Sequence, residues 1–456
     1  MIHSAISRSQ RGTHSHIWLT LRYNQSSMAN TTQATAVHLP VSDMAENLIG
    51  SEIIKLAAEI NEKIRNGERI FNYTIGDFDP KIFPIPSELN DEIIRAYEQH
   101  HTNYPAANGM PELRKTVAEF LRDYEGLNYT ADEVLISGGA RPLIYATYLT
   151  LLDPGDTVIF PVPSWNNNHY THLSRAKAVF VETRPENNFM PTAEELRPHL
   201  AGATLLALCS PLNPTGTVFS KEQLLAICDL VVEENKRRGP DAKPLYLMYD
   251  QIYWVLTFGK TEHYNPVSLR PELRDYTIFV DGLSKSLAAT GIRVGWSFGP
   301  QRIIDKMKAI LSHVGAWAPK AEQVASGKYM SNRSAMDRFV TSFKGEISER
   351  LDGFYHGFLE LRKEGFSVNA IPPQAAIYLT VQFELVGKKT PDGRVLNNQK
   401  AVTQHILDEA KLALVPFSAF GASDDSNWYR LSVGTCNKHE IGEVFSTLRR
   451  VLKALA

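Results

Sequence analysis

Cysteine is scarce in this chain of 456 residues. Cys209, Cys228 and Cys436 share no CxxC spacing and no metal-ligand spacing with histidine, which excludes a disulfide framework and a zinc site as organising devices. A reducing compartment is the expectation. Net charge is nearly absent too, −2 from 48 basic and 50 acidic residues, so nothing in it marks a surface for nucleic acid or anionic membrane. No apolar run approaches the roughly 20 residues that a membrane-spanning helix needs. Repeats of fixed period and low-complexity linkers are missing as well. What remains is small-molecule chemistry in a cytoplasmic protein, with no nucleic-acid or membrane partner.

Acid is lacking from one stretch in particular. The first 42 residues contain no aspartate or glutamate, carry Arg8, Arg11 and Arg22, and are rich in serine, threonine and asparagine. That composition is partly that of a transit peptide, so organellar targeting stays open. Its one apolar cluster, Ile17-Trp18-Leu19, is too short for a signal-peptide core. A disordered tail, a non-native extension with true initiation at Met28, and an arm wrapping a partner subunit are the other readings.

The rest of the chain is long enough, at 43% hydrophobic residues, to bury two or three cores. Ser51–Ile64 has apolar residues at 53, 54, 57, 60 and 64, the spacing of an amphipathic helix. From Phe71 to about Pro300, short apolar runs alternate with helical stretches: Val134–Ile136, Thr157–Phe160, Ala178–Val181, Leu205–Leu208, Leu245–Tyr249 and Thr277–Val280. Near-continuous apolarity suits strands buried on both faces, and helix-length connections imply parallel βα units. The expectation is a doubly wound α/β domain. Beyond 330, a long helical stretch, strands at Ala375–Val381 and Trp428–Val433 and a helix over Asn397–Ala410 predict a smaller α+β domain that also takes in the helix near Ser51.

Ligand groups in such sheets gather at the carboxyl ends of strands. Asp250 directly follows one apolar run; it either caps the next helix or pairs with a buried cation, and Tyr253 is close enough in sequence to reach the same pocket. Asn213, in Ser210-Pro-Leu-Asn-Pro-Thr-Gly216, is a plain turn residue or an amide donor. Ser137-Gly-Gly-Ala140, between a strand and a helix, offers backbone N–H groups to a phosphate. Trp165 stacks on a flat ring or packs in the core. Lys285 and Arg293 lie eight apart in Asp281-Gly-Leu-Ser-Lys-Ser-Leu-Ala-Ala-Thr-Gly-Ile-Arg293. They suit a solvated surface, or a desolvated amine that condenses with a carbonyl beside a guanidinium that holds phosphate. Arg430 sits inside an apolar strand, where arginine needs an anion: an internal salt bridge or a substrate carboxylate.

Taken in order, the glycine turn, Trp165, Asn213-Pro-Thr-Gly216, Asp250-x-x-Tyr253, Ser284-Lys285 with Arg293, and Arg430 resemble the class I/II aminotransferases, fold-type I enzymes of the aspartate aminotransferase kind that use pyridoxal 5′-phosphate. The resemblance runs from about Gly76 to the C-terminus. It implies a large domain, 76–325, with a mostly parallel seven-stranded sheet, a small domain, 326–456, an N-terminal segment, 43–75, packing with the small domain, and an extension, 1–42. It further implies that Lys285 forms the internal aldimine and shuttles the proton to C4′, with Asp250 on the pyridine nitrogen and Asn213 and Tyr253 on the ring oxygen. Arg293, Ser284 and the amides of Gly139 and Ala140 would hold the phosphate, with Trp165 on the ring and Arg430 and the Gly76 backbone on the substrate carboxylate. Tyr104 would reach the partner's phosphate in a homodimer.

The implied reaction is amino transfer from aspartate or an aromatic amino acid to an acceptor such as 2-oxoglutarate. A lyase or C–S lyase on the same fold is the alternative, and an effector-sensing regulator is disfavoured because the tail has no helix-turn-helix pattern. Three departures stand out: Gly76-Asp-Phe-Asp-Pro80 in the early loop, Gln251 where glutamate is usual, and Pro142 after Arg141. For a second substrate carboxylate, Lys320 and Arg141 are the nominal cations.

Overall fold

The computed structural model describes residues 39–48, 50 and 52–456; the readings of residues 1–38, including a start at Met28, lie outside the described residues. Seven strands form the main sheet in the order Val134–Ser137, Gly295–Phe298, Thr277–Gly282, Tyr246–Asp250, Ala203–Cys209, Thr157–Val162 and Lys177–Glu182. All are parallel except Gly295–Phe298, which runs antiparallel to both neighbours. The six apolar runs read from sequence each overlap one of these strands, Leu245 alone lying just outside, and one of them, in the edge strand Lys177–Glu182, is largely exposed instead of buried on both faces. The seventh was hidden, because its four residues begin on a glycine and follow the Lys285 motif without an apolar run of their own.

The central strands are apolar along most of their length because both faces are covered. Leu206, Leu208, Leu247 and Phe279 enter one core and Leu205, Ala207, Met248 and Ile278 the other. At about 25 cal/mol per Å² of apolar surface removed from water, each such leucine or phenylalanine contributes roughly 2 kcal/mol. Covering helices include Lys221–Arg238, started by a Ser220–Gln223 capping box, and Pro111–Glu125, which opens on proline and closes on Gly126 in the left-handed conformation.

A second sheet of four antiparallel strands follows the order Val415–Pro416, Trp428–Ser432, Tyr378–Phe383, Val368–Ala370. The 31-residue helix Arg333–Lys363 serves both sheets. Ala335 and Met336 belong to the core under the seven-stranded sheet, whereas Phe343, Ile347, Leu351, Phe354 and Phe358 belong to that under the four-stranded one. Helix Glu52–Arg65 buries Ile60 against Leu407 and Ala413, and Phe71–Asn72 pairs in parallel with Leu412–Ala413.

The two sheets meet at the Asn213-Pro-Thr-Gly216 turn. Gly216 has φ +71°, and a Cβ there would come within 2.2 Å of the Tyr378 carbonyl, so only glycine permits the approach. Ala375 N–H donates to Gly216 O at 2.9 Å and the Thr380 hydroxyl to Thr215 O at 2.8 Å.

Candidate active site

Strand ends on the carboxyl side of the main sheet, the Gly76 loop and the second sheet enclose a cavity of about 670 Å³. Asp250 ends its strand in register with Cys209 and Val280. No helix follows it; residues 252–255 form a turn, so the helix-capping reading gives way to a local bond from the Ile252 N–H at 3.1 Å. Among the described residues no cation pairs with this carboxyl, and burial lifts it to about 6. A cation placed beside it would restore the charged form.

Lys285 stands in the single turn Leu283–Ser286 that follows strand Thr277–Gly282. Its Nζ donates to Gly76 O at 2.7 Å. Burial lowers the amine to about 8, with Asp77 opposing and Arg430, Arg141 and Arg293 adding to the drop. At that value roughly a tenth is neutral at pH 7, against about one part in three thousand for an ordinary lysine. The reading of Lys285 and Arg293 as a solvated surface therefore fails; both line the cavity with Ser284.

Arg293 has φ +60°, and its guanidinium donates to Thr290 O at 2.7 Å and Gly138 O at 2.8 Å. It lies against Gly139, where a Cβ would come within 2.3 Å of its Nη2 and where φ is +93°. Helix Ala140–Leu151 starts beside it, so its first amides and the guanidinium form one anion cradle. One detail differs from the expectation. The Gly139 N–H is turned to Ser137 O at 2.7 Å, whereas Ala140 and Arg141, at the helix start, line the cavity. Pro142 falls in that first turn, where no intrahelical donor is lost.

Arg430 is 2% exposed. Its Nη1 donates to Asn213 Oδ1 at 2.9 Å and its Nη2 to Thr74 O at 2.6 Å, while Nε has no partner. Among the described residues no carboxylate meets it, so the internal salt bridge is not present. A buried guanidinium without an anion is costly, and a carboxylate would satisfy it bidentately.

Trp165 is half-buried on the cavity wall, with the Arg141 guanidinium 5.2 Å from its ring. Tyr253 faces inward, its hydroxyl 2.6 Å from that of Tyr378. Four cations (Arg141, Lys285, Arg293, Arg430) and two anions (Asp77, Asp250) line the space, which suits a ligand carrying a phosphate and a carboxylate. Tyr104 is outside it, 80% exposed and packed edge-on to Trp317. Lys320 is outside as well, tied to Asn103. Residues not anticipated are Tyr378, Thr74 and Asp77, and Ile53 and Ala57 on helix Glu52–Arg65; Tyr378 read as one more apolar position in a strand.

Gln251 explains its own departure. Its Nε2 donates to Glu125 Oε1 at 2.7 Å, and the buried Glu125 carboxyl is pushed well above its ordinary value, first by burial and then by Asp281. A glutamate at 251 would set two carboxyls against each other here. Gln251→Glu should destabilise the fold by about 2–4 kcal/mol at pH 8. The new acid has a folded pKa above its unfolded value, so the penalty builds as pH rises from about 4 and is smaller at pH 5 than at pH 8. Adding Glu125→Gln should restore stability to within about 1 kcal/mol. Urea unfolding at both pH values tests this, and an additive double variant would contradict it.

The site's residues fit a flat, phosphate-bearing cofactor with a carbonyl for Lys285 and a protonated ring nitrogen for Asp250. Comparisons agree. The family model for aminotransferase class I and II matches residues 73–448. The aspartate aminotransferase of Geobacillus stearothermophilus is 30% identical over 396 residues, 85% of this chain and 93% of that protein. Among solved structures, the aspartate aminotransferase from Rhizobium meliloti superposes with TM-score 0.82 at 25% identity, covering 92% of this chain and all of that one. The Thermus thermophilus aspartate aminotransferase, solved with maleate, gives 0.80 at 28%, covering 91% and 100%. An uncompensated buried carboxyl, a depressed lysine and an anion-free arginine around one cavity thus belong to a chain of the class I and II aminotransferases, a transaminase that uses pyridoxal 5′-phosphate.

Proposed function

We propose that this transaminase moves the amino group of a dicarboxylic amino acid, aspartate in the first place, to 2-oxoglutarate. The observation that carries the reading is the pair of unmatched buried charges in one cavity, Asp250 without a cation and Arg430 without an anion. The cofactor, when bound, supplies an electron-accepting ring that acidifies the substrate's α-C–H. Asp250 would keep the ring nitrogen protonated. Asn213 and Tyr253 would donate to the ring oxygen, and Arg293, Ser284 and the start of helix Ala140–Leu151 would hold the phosphate. Trp165 would cover the ring face. Lys285 would anchor the cofactor and, as a free amine, take the proton from the substrate's α-carbon. Arg430 fixes the α-carboxylate and so aims the α-C–H at Lys285.

The dicarboxylate preference is supported by Arg141, a second cation lining the cavity, and by the maleate-bound Thermus relative. Tyr104, exposed here, is the residue we assign to the phosphate of a partner subunit in a homodimer.

Purified enzyme with aspartate and 2-oxoglutarate should form glutamate; release of ammonia without an acceptor would instead indicate a lyase. Arg141→Met should raise KM for aspartate and 2-oxoglutarate by about tenfold or more, as loss of one charge-assisted contact of roughly 1.5–3 kcal/mol predicts. Aromatic donors should be little affected. An unchanged ratio of kcat/KM for aspartate over phenylalanine would remove Arg141 from substrate selection.

A further inference from the structure

Tyr378 begins the strand Tyr378–Phe383, opposite Ser432 of the neighbouring strand, while Thr380 stands opposite Arg430. Side chains two apart share a face of the sheet, so Tyr378 and Arg430 project together into the cavity. The Arg430 guanidinium carbon lies 4.7 Å from the centre of the Tyr378 ring. The ring is 1% exposed and meets that of Tyr253 edge-on, centres 5.5 Å apart at 68°. The two hydroxyls are 2.6 Å apart, one donating and the other accepting.

We infer that Tyr378 is a positioning residue: its hydroxyl donates to the Tyr253 oxygen, so that the single proton of Tyr253 is free to be given to the cofactor's ring oxygen. The inference rests on the proposed role of Tyr253.

Each phenol has one proton and can accept through its oxygen. If Tyr253 spent its proton on Tyr378, none would remain for a ring oxygen. The reverse polarity leaves that proton free. Burial raises both phenols, and Arg430 pulls each back, so both keep their protons and either can donate. A hydroxyl that accepts one hydrogen bond also becomes a stronger donor in the next, so the row Tyr378, Tyr253, ring oxygen would be polarised in one direction. The position is rigid, because the Tyr378 carbonyl is packed against Gly216.

A donor on the ring oxygen stabilises negative charge there and makes the nitrogen joining Lys285 to the cofactor easier to deprotonate. The readout is therefore the pH midpoint of the bound cofactor's visible absorbance, independent of turnover. In cofactor-loaded protein, Tyr253→Phe should move the midpoint upward by more than one pH unit, and Tyr378→Phe upward by roughly half a unit to one unit. The double variant should match Tyr253→Phe alone, since Tyr378 acts only through Tyr253. Cofactor stoichiometry and thermal unfolding confirm that each variant is folded and loaded. A midpoint in Tyr378→Phe that stays in place or falls, or shifts that add, would overturn the inference. No shift in Tyr253→Phe would instead remove the role given to Tyr253.

Discussion

Lys285→Ala is expected to yield a folded protein with no visible absorbance from an anchored cofactor and with kcat reduced on the order of a thousand-fold or more, since anchor and proton carrier are lost together. The proposed function concentrates both roles on one amine. Its single described hydrogen bond runs to a backbone carbonyl, Gly76 O, so no other side chain inherits its place when it is removed. Burial depresses the amine to about 8, below its unfolded value of about 10.5. The sign of the stability effect follows. Below about pH 8 the folded state carries the full penalty of a buried ammonium; between about 8 and 10.5 the penalty is relieved as the folded state gives up its proton first. The cofactor-free alanine variant should therefore be more stable than the cofactor-free parent at pH 7, with the gap narrowing toward pH 10. Spectroscopy with added cofactor and thermal unfolding across that range test the two halves separately. An unchanged spectrum would refute the assignment of Lys285.

Arg430→Lys is expected to lower kcat/KM for every amino donor by about a hundred-fold or more, on the order of 3 kcal/mol of transition-state binding. The loss is geometric as well as electrostatic. Arg430 uses Nη1 and Nη2 to hold Asn213 and Thr74 O while presenting a planar fork to a carboxylate, and a single ammonium cannot do both. The lysine would also be buried without an anion, which lowers its pKa, so activity of the variant should fall further as pH rises, whereas the parent guanidinium stays charged. Equal losses for aspartate and phenylalanine would identify the α-carboxylate as the group bound. A loss confined to aspartate would move Arg430 to the distal carboxylate.

Much of the fold was legible because its signals are local. Five buried parallel strands announce themselves as apolar runs, since covering both faces removes the alternation a half-exposed strand would show; the sixth run, Ala178–Val181, belongs instead to the largely exposed edge strand Lys177–Glu182. Gly295–Phe298 gave no such signal: four residues between two motifs carry too little pattern, and its antiparallel place between Val134–Ser137 and Thr277–Gly282 depends on partners far away in sequence. Asp250, Asn213 and Lys285 were legible as polar residues at strand ends. Gln251 was visible only as a departure, and its reason, Glu125, lies 126 residues away.

By itself, the sequence determined the strand–helix alternation, the polar groups that close each strand, and the order of motifs that marks the family, all properties of short segments whose burial and turn chemistry are local. Tertiary structure alone decided between alternatives that a segment cannot settle. It set Arg430 against Asn213 instead of an acid, placed Arg141 and not Lys320 in the cavity, turned the Gly139 amide away from the cradle, and brought Tyr378 to Tyr253. The physical reason is that a group's charge state and hydrogen-bond partners depend on what surrounds it in space. Here the surroundings were assembled from two sheets that meet at a glycine with no room for a side chain.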